Sequence, residues 1–175
     1  MDYIILALLF FASGFFMKFS DDLYDVKHDL ISASVFSVLC AITCGLAAIS
    51  DIGAAYIFIA ILIGTLLAFK VDGAHHILCL IIFIIICLAF AIPNVNLIVL
   101  LICVVAVLVD EIGHETISKF TTNKVLNFFF EYRFFMKIIV LILAIGGVFN
   151  IWVFIYFLLF EIAYVLAGFA YKKLN

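Results

Sequence analysis

Charge is scarce in this chain: Asp, Glu, Lys and Arg together make up 12% of its 175 residues, against 70% hydrophobic residues and a mean hydropathy of +1.45. A water-soluble domain of that composition would aggregate, so a soluble fold is excluded. Proline is limited to Pro93, so little interrupts the apolar runs. None of the five cysteines, Cys40, Cys44, Cys79, Cys87 and Cys103, falls in a CxxC pair, and all lie inside apolar stretches. They read as small, reduced core residues and not as a disulfide or thiolate framework. No basic stripe is present to follow a phosphate backbone, and nucleic acid is therefore excluded as a partner.

What is present is a series of apolar runs at 2–19, 30–50, 52–69, 77–92, 95–109, 134–148 and 151–171. They predict an all-α, polytopic transmembrane helical bundle of about seven spans, a single domain over 1–175 embedded in the lipid bilayer. Several runs are shorter than the roughly 20 residues that cross hydrocarbon, most clearly the fourth and fifth, which flank Pro93. One broken segment or a re-entrant hairpin is the alternative there, but IPNVN has the composition of a turn, which favours two short spans. The first run is treated as a retained helix, because Asp2 stands where a signal peptide needs a basic residue.

Basic residues then fall on one side only. With seven spans, Lys18, Lys27, Lys70, Lys119, Lys124, Arg133, Lys137, Lys172 and Lys173 share a side, while SDIG, IPNVN and GGVFN on the other side hold none. Positive charge is retained in the cytoplasm during insertion, so the N-terminus is expected outside and the C-terminus in the cytoplasm of a multi-pass cell-membrane protein. Fusing the fourth and fifth spans would split the basic residues between the two faces.

Two acidic clusters lie on the same side, in DDLYDVKHD and DEIGHE. If helical geometry continues through the first, Asp21, Asp25 and Asp29 share a face at i, i+4 and i+8, with Asp22 turned away. Four carboxylates so close repel one another, and a divalent ion would relieve the repulsion. Hard oxygen ligands at this spacing suit Mg2+ or Mn2+, which bridge to substrate phosphates. The second cluster offers Asp110 with His114 and Glu111 with Glu115, each an i, i+4 pair. Solvated helix ends are the plain alternative for either cluster, weakened by their lying on one face.

DDLYDVKHD resembles the first signature of the UbiA-type intramembrane prenyltransferases, NDxxDxxxD, with Asp21 at the family's Asn and Asp22, Asp25 and Asp29 at its aspartates. DEIGHE resembles the family's second signature, DxxxD, with His114 at the second aspartate in one register, or Glu111 and Glu115 at both positions in the other. Four runs separate the two clusters, as in the family. The resemblance covers most of the chain, which is shorter than typical members, would lack the family's first and last helices, and has no Arg-rich stretch after Asp29.

The resemblance implies Mg2+-dependent transfer of a prenyl group from a polyprenyl diphosphate to a lipid-soluble acceptor, in an active site on the cytoplasmic side of the membrane. Asp21, Asp22, Asp25 and Asp29 would hold one ion, and Asp110 with Glu111, His114 or Glu115 the other, with Lys70, Lys119, Lys124 and Arg133 on the diphosphate oxygens. The short length leaves room for an oligomer in which protomers replace the missing helices. A divalent-cation transporter or binding protein, and a noncatalytic lipid-binding relative, are the alternatives; transport would call for polar groups continuing through the spans, which are few.

Three further features bear on the site. KVDGAHH places Lys70, Asp72, His75 and His76 in the loop after the third run, as extra site residues or as a headgroup-level turn around Gly73. The stretch 116–135 reads as a loop and an interfacial helix, serving as a lid or resting at the surface. The 21 phenylalanines face lipid or line an isoprenoid path, and Glu161, mid-span, is either a protonated interhelical carboxyl or a substrate-facing one. A reporter fused at Gly73 or after Tyr171 is expected to read cytoplasmic and one at Asn94 external; the reverse pattern would overturn the orientation.

Overall fold

The computed structural model describes residues 2–71, 73–120 and 122–174, with Ser118 and Leu174 by backbone alone. Asp72 lies outside the described residues. Among those described, the protein is all helix: α1 Tyr3–Asp25, α2 Leu30–Ser50, α3 Ile52–Leu67, α4 Ala74–Phe90, α5 Leu97–Phe120, α6 Lys124–Glu131, α7 Phe134–Ile145 and α8 Ile151–Leu174.

Four helices are long and apolar enough to cross a membrane: α1, α2, Leu97–Ile117 of α5 and Ile151–Lys173 of α8. This is the signature of a membrane protein. Helices α3, α4 and α7 are apolar but shorter. The 12 residues of α7 rise only about 18 Å, well short of a roughly 30 Å hydrocarbon core. Of the seven runs expected to span the membrane, four form full-length helices and three form shorter ones. The chain breaks between α4 and α5 at Ala91, which has φ 58, so these are separate helices.

Both acidic stretches are helical continuations of apolar helices, since α1 runs to Asp25 and α5 to Phe120. The first ends before Asp29. His28 adopts a left-handed backbone with φ 55, and its N–H donates back to the Tyr24 carbonyl, the αL pattern of a terminated helix, while the Asp29 N–H donates to the Leu23 carbonyl. This corrects the expected i, i+4, i+8 face: Asp29 caps α2 instead, accepting from the Ser32 N–H at 3.1 Å. The Ser32 hydroxyl and backbone N–H hold the Asp29 carboxyl below its ordinary pKa. That contribution to stability is present above the unfolded-state pKa and fades as pH falls through the lowered one.

Packing centres on α1, which lies between α2 and α8; α4 packs on α2, α3 on α2 and α5, and α7 between α5 and α8. With lipid outside, helices gain little from the hydrophobic effect and rely on close van der Waals contact between small residues. Helix α2 supplies such a seam in Ala33, Ser37, Cys40, Ala41, Cys44, Ala47 and Ala48, all buried at helical spacing. Against backbone, the tightest approach at a glycine is α1 to α8, where a Cβ on Gly14 would stand 2.1 Å from the Phe160 carbonyl oxygen. On the outer face, Ile77, Ile81, Ile84, Ile85 and Leu88 of α4 are exposed, as lipid-facing residues are.

Gly14→Val is expected to lower stability by about 3 kcal/mol, because backbone and not a flexible side chain blocks the new methyls; denaturant titration in detergent measures it. Asp51→Ala, which removes the α3 cap accepting from the Ala54 N–H at 2.9 Å, is expected to cost about 1 kcal/mol in the same assay.

Candidate functional site

A cavity of about 390 Å³ opens among the helices, lined by side chains from every helix except α6. Its polar part is made where the C-terminal ends of α1 and α5 meet the N-terminal ends of α4 and α7 and the second half of α8. Asp21, Asp25, Asp110, Glu111 and His114 line it together with Lys18, Lys70, Arg133, Glu161 and Tyr164. Its remaining wall is apolar, including Cys40, Cys44, Phe58, Phe83, Phe157 and Phe160.

From the first cluster, the structure brings Asp21 and Asp25 to the cavity but not Asp22 or Asp29. Asp22 pairs with Lys18 one turn earlier at 2.8 Å, and Lys18 lies over the Tyr164 ring, 5.6 Å from its centroid. Gly168 leaves room for that pair against α8, the Lys18 Cε being 3.4 Å from where its Cβ would be.

In the second cluster, Asp110 is 1% exposed, and its two oxygens accept backbone N–H groups from the first turn of α7, Phe135 at 3.0 Å and Met136 at 2.7 Å. The α7 N-cap position is Arg133, which offers no side-chain cap, so a residue from α5 satisfies those donors from across the bundle. Glu111, also buried, receives the Arg133 guanidinium through Nε at 2.8 Å and Nη2 at 3.5 Å. Arg133 itself has a left-handed backbone, φ 48, which a bulky residue adopts only when its surroundings impose it. His114 Nδ1 is 3.8 Å from Glu131 of α6, and Glu115 pairs with Lys70 at the cavity mouth.

Of the basic residues expected at the site, Lys70 and Arg133 line the cavity, while Lys119 and Lys124 are exposed and outside its wall. Glu161 faces the cavity and pairs with Lys137 of α7 at 2.9 Å, an ion pair between α7 and α8. His75 is buried next to Asp21.

Sequence reasoning passed over three contributors, Lys18, Lys137 and Tyr164. A signal for two of them was available in spacing: Lys18 lies three and seven residues before Asp21 and Asp25, and Tyr164 three after Glu161, each on the same helical face. Helix α6 packs onto α5 through Phe130, whose ring stands where a Cβ on Gly113 would be, 2.0 Å away.

No protein-family profile, curated protein or solved structure matches this chain.

Carboxylates available to a hard divalent cation are those of Asp21 and Asp25, while Asp110 and Glu111 are already engaged by protein donors. Arg133→Ala would leave Glu111 buried and unpaired, at an expected cost of about 3 kcal/mol. Asp110→Ala, which strands two N–H groups of α7, is expected to cost about 2 kcal/mol, and Asp110→Asn less, because its amide keeps one acceptor. Unfolding titrations of the three variants check the order.

Proposed function

We propose that this cavity carries out prenyl transfer of the UbiA type at the cytoplasmic membrane face, moving an isoprenoid from a polyprenyl diphosphate to a lipid-soluble acceptor. One observation carries the reading: residues of both acidic helices and several cations line one end of a cavity whose other walls are apolar helix surface. Such a shape suits an amphiphile with an anionic head and a hydrocarbon chain. Glu115 pairing with Lys70, and Glu161 with Lys137, keep the polar end ordered without closing the apolar end.

In this reading, Arg133, Lys18 and Lys70 bind diphosphate oxygens, with Arg133 held in place by Glu111. Asp25, together with diphosphate oxygens, would hold a Mg2+ ion, which would neutralise the diphosphate and make it a better leaving group. The allylic C–O bond breaks and pyrophosphate leaves with the electron pair. The aromatic carbon or hydroxyl of the acceptor then bonds to the allylic carbon and gives up a proton. Phe58, Phe83, Phe157 and Phe160 hold the chain, present π-faces to the cation and exclude water. Helix α6, seated on α5 beside His114, acts as a lid.

Cation transport is the weaker reading, because the polar groups of the cavity concentrate at one end and apolar side chains form the rest. Purified protein given geranylgeranyl diphosphate, Mg2+ and a panel of lipid acceptors is expected to release pyrophosphate. Asp25→Asn should reduce the rate at least about a hundredfold. Release that persists in the variant, or in chelator, would remove the case for this site.

A further inference from the structure

The first turn of helix α4 carries two consecutive histidines, and the first of them is buried as deeply as Asp110, at 1% exposure. Neither ring nitrogen of His75 has a hydrogen-bond partner. An imidazole sealed from water with both nitrogens unmet loses free energy that water would otherwise supply. Asp21 of α1 stands opposite: its Oδ1 is 3.7 Å from His75 Nε2 and 3.8 Å from His76 Nε2. These separations are too long for hydrogen bonds, which end near 3.2 Å. They are close to the roughly 3.4 Å that separates two ligands sharing a tetrahedral ion with bonds near 2.05 Å. One donor atom from each of the three residues can be chosen so that all lie within 4.8 Å of one another.

We propose that Asp21, His75 and His76 form a binding site for a transition metal of the Zn2+ class. The donor set decides the class: two imidazoles with one carboxylate favour Zn2+, Co2+ or Fe2+ over Mg2+, which prefers oxygen. The local structure holds the rings ready. His75 lies against Tyr24, 4.3 Å between centroids, and against His76 at 3.9 Å. A Cβ at Gly73 would strike His75 at 2.5 Å, so only glycine at this N-cap lets the ring sit there. The metal ties the start of α4 to α1. Because Asp21 and His76 also line the cavity, its fourth position opens toward it, free for water or a ligand oxygen. The site does not rest on the prenyl-transfer reading.

The test is titration of metal-free protein in detergent with Co2+, followed by its visible ligand-field bands and by calorimetry with Zn2+. One tight equivalent per chain is expected, unaffected by excess Mg2+, with the intense bands of a four-coordinate ion. His75→Ala and Asp21→Asn should each weaken binding at least about a hundredfold, and Gly73→Val about tenfold or more, while Asp25→Asn leaves it unchanged. Size exclusion and circular dichroism establish that the variants remain folded. Wild-type protein that binds no Co2+, binding displaced by Mg2+, or binding intact in folded His75→Ala would each overturn the site. Protein that binds Co2+ as expected but releases no pyrophosphate would overturn prenyl transfer and leave the metal site standing.

Discussion

An ionised group among apolar helices costs several kcal/mol unless another group meets its charge, and this constraint organises the polar end of the bundle. Glu111 is met by Arg133, Glu161 by Lys137 and Asp22 by Lys18, while Asp110 is met by the first turn of α7. Three of these four arrangements join different parts of the chain, and all three involve α7 or the residue just before it. A helix of 12 residues, too short to cross hydrocarbon, is thereby held at a fixed depth by charge at its N-terminal end. Arg133 takes up a backbone conformation unusual for its type as part of that anchoring.

The apolar body follows a different rule. Its helices come together through small side chains, with the α2 seam and the contact of Gly14 on the Phe160 backbone bringing α8, α1 and α2 into a layer. That layer carries Lys18, Asp21 and Asp25 on one element and Glu161 and Tyr164 on another. A tight apolar seam and part of the polar site are thus carried by the same helix pair.

Much of this was legible along the chain. Apolar run length and the shortage of charge pointed to membrane helices, and the i, i+4 pattern grouped Asp21 with Asp25 and Asp110 with His114. The reading failed at Asp29, because His28 reverses the chain where the spacing argument continued the helix. It also treated Asp110 and Glu111 alike, as candidate ligands of the second ion. Asp110 and Glu111 are neighbours in sequence, yet one caps a distant helix and the other binds an arginine more than twenty residues away. Lys119 and Lys124 looked no different from Lys70 and Arg133, but only the latter two reach the cavity wall.

The amino-acid sequence by itself determined that this is a helical membrane protein with its ionisable groups in a few short stretches, because hydropathy and helical periodicity are properties of consecutive residues. Only the tertiary structure decided which of those groups share a cavity, which are neutralised by partners and which stand unmet. Burial and pairing depend on residues brought together from distant helices. His75 shows the difference: in sequence it is one of two histidines in a loop, and in the folded bundle it is a sealed imidazole facing Asp21.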